Sequence, residues 1–245
     1  MEFTMFSLEH AAALFAGLVV LAAVCLQRGK IRSADRKIGL IGACMLIGSE
    51  LALQGWYIAR GVWGADSLPL QLCSMTLLAS AAALLMPGSR VLQDIVFFLG
   101  TLGAMQALIT PNLDFGFPHF RYFHFFLAHI GILATAVYLF AVRRYRPRLR
   151  SAVSAFCWLQ GVALIAAAAN GAFGTNFMFL ARKPSTASLL DALSPWPRYI
   201  PELEAVAAIL ILMLYGLARG VETGAGRFRR RKSGRQSAAA ESNRL

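Results

Sequence analysis

The chain has 245 residues, 58% of them apolar and only 15% charged, and its mean hydropathy is +0.59. Soluble domains run about 45–50% apolar and about 25% charged, so a water-soluble fold of this size could not cover itself with the polar groups available. The net charge of +12, from 24 Lys and Arg against 12 Asp and Glu, points either to nucleic acid or to a multi-span membrane protein with basic loops on one side.

A bilayer core of about 30 Å needs roughly 20 apolar residues per helix, and seven stretches qualify. In chain order they are Leu8–Leu26, Ile38–Ile58, Leu68–Met86, Val91–Ile109, Tyr122–Val142, Ala152–Ala172 and Leu203–Leu217. No Lys or Arg falls inside them. Of the 24 basic residues, 19 lie after span 1, between spans 3 and 4, after span 5 and in the tail. The other five are Arg60, Arg121, Arg182, Lys183 and Arg198. The positive-inside rule makes the larger set cytoplasmic. The expected fold is an all-α, seven-helix membrane protein with its N-terminus outside and its C-terminus inside, in the cell membrane. Nucleic acid is not expected as a partner. Span 1 lacks a basic leader before its apolar run and is not expected to be a cleaved signal.

The membrane domain is expected over residues 1–219, with a long outer loop at 173–200. The Gly-, Ser- and Arg-rich residues 220–245 read as a disordered basic tail. Aromatic and apolar residues in the loop predict that it docks on the bundle mouth.

Polar groups inside hydrocarbon are costly and mark interior sites. Glu50 is expected about 12 Å below the outer end of span 2, with Gln54 one turn above it. Gln71, Cys73, Gln106, His124, His129 and Asn170 also fall in the outer halves of their spans, and Asn176 follows just beyond. The inner half reads as nearly bare apart from Asp94. Cys25, Cys44 and Cys157 fall toward the inner side, so Cys73 is the thiol placed near the histidines. The four cysteines form no CxxC pair, so neither a zinc site nor a disulfide scaffold is expected. His124 and His129, five residues apart, should lie on different faces of one helix and make a poor metal pair. No metal and no cofactor is expected. An imidazole can take a thiol proton during attack. Alternatively, Glu50, Gln54 and the span 5 histidines could contact a small or lipid-like ligand in a binding or transport protein.

Three blocks carry a resemblance. Leu68-Pro69-Leu70-Gln71-Leu72-Cys73 opens span 3, and Pro118-His119-Phe120-Arg121-Tyr122-Phe123-His124-Phe125-Phe126-Leu127-Ala128-His129 leads into span 5. The loop holds Gly174-Thr175-Asn176-Phe177-Met178-Phe179-Leu180, Lys183-Pro184, Leu189-Leu190-Asp191 and Pro195-Trp196-Pro197. Over roughly residues 40–215 the chain resembles the YwaF-like bacterial membrane proteins, related to eukaryotic transmembrane protein 164. That relative is described as a cysteine-dependent acyltransferase moving acyl chains from phosphatidylcholine to lyso-ether phospholipids. The resemblance implies Cys73 as nucleophile, forming an acyl-thioester, and His129 as general base. Phospholipids or lysophospholipids are then the expected substrates, and acyl transfer or lipid hydrolysis the expected reaction. Cys73, expected about 7–8 Å below the outer end of its helix, would suit a glycerol ester. Gln71, Gln106, Asn176 or backbone amides could hold an oxyanion. Arg121 or Lys183 could hold a lipid phosphate.

Overall fold

The structure is a computed structural model describing residues 2–184 and 189–242, with side chains excepted at 189 and beyond 224. Residues 185–188 of the loop expected at 173–200, and the side chains of most of the basic tail, lie outside the described residues. Six helices are long and apolar enough to cross a membrane. They are α1 (Leu8–Leu26), α3 (Asp35–Ala59), the unit Arg90–Ile109, α7 (Phe120–Ala141), α8 (Leu149–Phe173) and the first part of α9 (Tyr199–Ser242). Helix α2 (Arg28–Ser33) joins α1 to α3, and α9 continues as helix through the residues read as a tail.

The stretch expected as the third span yields only α4 (Leu72–Leu85), of 14 residues. At 1.5 Å per residue it is about 21 Å long, short of a bilayer core. The cause is local. A proline disfavours helical geometry in the residue before it, and Leu68 is extended at φ −61°, ψ 141°. Gln71 is extended too, at ψ 144°. Helix starts only after both, so the span begins four residues later than expected.

The unit Arg90–Ile109 comprises α5 (Arg90–Ile95), a π-helical turn over Val96–Gly100 and α6 (Thr101–Ile109). All five π-turn residues are buried. Such bulges occur frequently at functional sites. Helix α8 stops at Gly174, whose left-handed φ of 68° suits glycine and whose amide bonds Asn170 O.

Two ends of the bundle differ. At one end α3, α6 and α8 finish and α1, α4, α7 and α9 begin; this is the mouth end. At the opposite end Arg143 ties three elements. Its Nε donates to Asp35 Oδ1 (2.9 Å), Nη1 to Ala83 O (2.8 Å) and Nη2 to Leu84 O (2.9 Å). The last carbonyls of α4 are thereby satisfied. Tyr145 donates to Asp94 Oδ1 at 2.6 Å, and Arg90 lies 3.5 Å from the same oxygen. The inner half, expected to be nearly bare apart from Asp94, carries a clamp built on Asp94 and on charged residues just beyond the expected spans, where helix ends expose carbonyls that need donors. A cluster of buried apolar residues lies next to this clamp, around Ala79, Ala83, Phe98, Leu139 and Ala155. Small residues there let backbones approach closely.

A cavity between six helices holds the candidate site

The mouth half of the bundle encloses a cavity of about 520 Å³ between α3, α4, α6, α7, α8 and α9. Its lining runs from Leu99 to Thr110 along the α6 unit and from Ile200 to Ile211 along α9. Each stretch advances eleven residues, so the cavity is about 16 Å deep.

Cys73 is the second residue of α4 and lines the cavity, half-exposed to it. Cys25, Cys44 and Cys157 are exposed on the outside of the bundle. The first helical bond of α4 runs from Met75 N–H to Gln71 O (3.1 Å). The amides of Cys73 and Ser74 precede it, with no helical carbonyl a turn back.

His129 is buried and lines the same cavity. Its Nδ1 lies 2.7 Å from Phe125 O. A carbonyl only accepts, so Nδ1 carries the proton and Nε2 of the neutral ring is left as an acceptor. Among the described residues no hydrogen bond joins Cys73 to His129.

Helix contacts set their levels. A Cβ on Gly39 would stand 3.1 Å from Leu84 O, so α3 and α4 nearly touch there. Eleven residues toward the mouth from these two lie Glu50 and Cys73, each about 16 Å along. A Cβ on Gly131 would stand 2.8 Å from Leu46 Cδ2. From that contact His129 lies about 3 Å and Glu50 about 6 Å toward the mouth. Cys73, Glu50 and His129 thus share one level within about a turn. That level is nine residues, about 14 Å, below the end of α3 at Ala59. Cys73 is therefore deeper than the 7–8 Å expected from its own apolar run, because α4 starts late.

The remaining predicted residues divide. Glu50 is 6% exposed and accepts from Gln54 Nε2 at 3.0 Å. Gln54 also donates to Ser67 O (2.9 Å) and accepts from Trp63 Nε1 (3.0 Å), tying α3 to the loop ahead of α4. Gln71 Oε1 accepts the Met178 amide at 2.9 Å, tying α4 to the long loop. Gln106 lines the cavity. Arg121 lines it too, its guanidinium 5.6 Å from the Tyr57 ring centre, without a carboxylate in ion-pair range among the described residues. Both ring nitrogens of His124 are buried against the cavity with no hydrogen-bond partner among the described residues. His124 and His129 are about 140° apart around the helix, yet the cavity wraps far enough to reach both. The two rings thus lie on different faces of α7, as expected, while both line the cavity.

Asn176 and Lys183 are not among the lining residues. Asn176 accepts from the amides of Ala181 and Arg182 (3.1 and 3.0 Å) and donates to Arg182 O (2.9 Å). Lys183 donates to Leu193 O at 2.7 Å. Both hold the loop in shape, because a docked loop must satisfy its own backbone before it can serve a ligand. His119, a further histidine of the same block, caps α7 by accepting from the Arg121 amide at 3.1 Å.

A family model described as the TMEM164 family matches residues 5–215. The chain belongs to the TMEM164 family. No curated protein and no solved structure matches it. The matched region of this TMEM164-family chain includes all the lining residues of the cavity.

Described residues of the long loop form part of the cavity wall. Thr175 and Phe177 are 1% exposed, and Met178, Phe179 and Leu180 line the cavity. Met178 and Phe179 both have φ of 55°, a costly setting for non-glycine residues. Asn170 holds this turn from below. It donates to Phe177 O (3.1 Å) and accepts from the Phe177 amide (2.6 Å) and Thr175 Oγ1 (2.9 Å). Sequence reading missed Tyr57, Asp66, Gln160 and Glu204 as lining residues. Glu204 and Gln160 carried a usable signal, as polar groups in otherwise apolar helices. Among the described residues no three His, Cys, Asp or Glu side chains group to hold a metal ion.

Proposed function

We propose that this TMEM164-family membrane protein is a thiol-dependent acyltransferase or acyl hydrolase of membrane phospholipids or lysophospholipids. One observation carries the proposal. Cys73 alone of the four cysteines lines the cavity, level with an imidazole whose free nitrogen is an acceptor. In the first step the Cys73 thiol proton passes to His129 Nε2 and the thiolate attacks the ester carbonyl. The C–O bond breaks, the leaving alkoxide takes the proton from His129, and an acyl-thioester remains on Cys73. A lysophospholipid hydroxyl, or water, then gives its proton to His129 and attacks; the C–S bond breaks, and the leaving Cys73 thiolate takes that proton back from His129. The amides of Cys73 and Ser74, at the start of α4, are suited to the oxyanion of both tetrahedral states. Arg121, unpaired by a carboxylate, and the unpartnered His124 stand one turn apart at the mouth and suit a phosphate oxygen.

Orientation follows from charge. The 18 basic residues of the larger set that fall within the described residues sit toward the end opposite the mouth by chain position, and five at the mouth end. The mouth then faces outward in a cell membrane, with the N-terminus outside and the C-terminus in the cytoplasm. With its extended lead-in, α4 serves as a seventh crossing segment, since α3 ends at the mouth and α5 starts at the far end.

The test is purified protein with a labelled phospholipid and a lyso-acceptor. Cys73→Ala is expected to abolish transfer and hydrolysis alike, and Cys73→Ser to trap or slow an ester intermediate. Undiminished turnover in Cys73→Ala refutes the proposal.

A further inference from the structure

By residue type, Gln71, Gln106 and Asn176 can each donate to an oxyanion, but the fold treats their amides differently. The Asn176 amide is engaged at both ends, donating to Arg182 O and accepting from the Ala181 and Arg182 amides. Gln106 lines the cavity, and among the described residues no hydrogen bond fixes its side-chain amide. Gln71 is held at one end and free at the other. Its Oε1 accepts the Met178 amide at 2.9 Å. An N–H requires an acceptor, so the oxygen branch of the side-chain amide faces the loop, and Nε2, with two N–H donors, is the other branch. Among the described residues Nε2 has no acceptor. It is not sealed either, since the sealed polar atoms without a partner are the two His124 nitrogens and Glu222 Oε1. Nε2 therefore meets open space, and Gln71 lines the cavity.

Position favours the same residue. Gln71 is the extended residue at the start of α4, with ψ 144°. Cys73 follows two residues later, its Cα at most about 7 Å away, and it lines the same cavity. The loop side of the bond is itself constrained. Met178 and Phe179 both have φ of 55°. Non-glycine residues keep such settings where their surroundings over-determine them, as at ligand clamps. Asn170 holds Phe177 and Gln71 holds Met178, so docking of the turn and orientation of the Gln71 amide occur together.

We propose that Gln71 is a catalytic oxyanion donor whose Nε2 is aimed by the docked turn at Met178. The assignment rests on the acyl-transfer reading. In each tetrahedral state the former carbonyl oxygen carries a negative charge on the carbon bonded to Cys73 Sγ. Gln71 Nε2–H donates to that oxygen beside the Cys73 and Ser74 amides, and no proton changes hands. A donor oriented before the reaction needs no reorganisation when the charge forms. Gln106, unheld, lacks that advantage. When the turn leaves, Oε1 loses its partner and the amide is free to rotate, so the oxyanion site is complete only with the loop docked.

The test uses full-length protein in nanodiscs with a labelled phospholipid and a lyso-acceptor, and Cys73→Ala as the reference for the chemistry. Gln71→Glu keeps an oxygen for the Met178 amide and removes the donor. It should lower kcat about 10²–10³-fold with KM little changed, while trypsin cleavage after Arg182 stays at the wild-type rate. Gln71→Met removes both branches of the amide. Its kcat should fall below that of Asn170→Ala, which loosens the loop but keeps the donor; this comparison keeps the test decisive if Gln71→Glu fails to fold. Wild-type kcat in Gln71→Glu beside an inactive Cys73→Ala overturns the Gln71 assignment and leaves the acyl-transfer reading standing. A lower kcat matched by cleavage as fast as in Asn170→Ala marks a loop-holding role and overturns the assignment too. Full activity in Cys73→Ala overturns both.

Discussion

Asn170→Ala should unlock the loop over the cavity without dismantling the bundle. The side chain makes three hydrogen bonds to the turn at Thr175 and Phe177, at 2.6–3.1 Å, with every partner buried. Removing it leaves two buried donors unsatisfied and takes one of two donors from the Phe177 carbonyl, which keeps the Leu180 amide at 3.2 Å. Each such loss costs about 1–3 kcal/mol. The three share one side chain and do not add fully, so about 3–4 kcal/mol of loop docking is lost. That raises the population of the open loop several hundredfold. Packing of Phe177 on Ala166 and Ala169 remains, so the helices should stay folded. Trypsin cleavage after the exposed Arg182 tracks the open population when closing is fast. It should accelerate strongly, while thermal unfolding of the helices shifts little. Asn176→Ala is the control: it also removes three bonds, but two of them are exposed, so about 1 kcal/mol is expected. Equal protection of the loop in wild type and Asn170→Ala, or equal effects of the two substitutions, refutes the reasoning.

Arg143→Met removes an ion pair and two carbonyl contacts at the closed end. Partly buried charged bonds of this kind suggest a loss of about 2–3 kcal/mol in detergent unfolding, little of it recovered by Lys, which lacks the planar fork. His124→Phe replaces a ring with two unsatisfied nitrogens by an apolar one. It should stabilise the ligand-free protein by about 1 kcal/mol while weakening phospholipid binding; a loss of stability would indicate a partner that the geometry lacks. Tyr145 is held above the ordinary phenol range of 10.0 by burial and by the Asp94 carboxylate. Its contribution is complete below that ordinary value and is lost as pH climbs toward the raised folded value. Tyr145→Phe should cost about 1.5–3 kcal/mol at neutral pH, and the mutant should show a shallower alkaline decline in unfolding temperature than wild type.

The candidate site was partly legible because lone polar residues in apolar helices are conspicuous. Cys73, His129, Glu50, Gln71, Gln106 and His124 could be picked out that way, and all six line one cavity together with Arg121, which lies just outside its expected span. Asn176 and Lys183 carried the same signal but serve the loop, since a polar residue beside a span looks alike whether it faces a ligand or a backbone. Leu99, Leu159 and Ile211 carried no signal at all. An aliphatic residue lining a cavity is indistinguishable in composition from one facing lipid.

Hydropathy and charge are summed over neighbouring residues, so the sequence by itself determined where the long helices run and how the basic residues divide between their ends. Helix α1 begins and ends at the residues its apolar run predicts, Leu8 and Leu26. Level and convergence depend on contacts between residues far apart in the chain. Only the tertiary structure decided that α4 starts at Leu72, that the Gly39–Leu84 and Gly131–Leu46 contacts bring Cys73, Glu50 and His129 to one depth, and that the helices part there to leave a cavity.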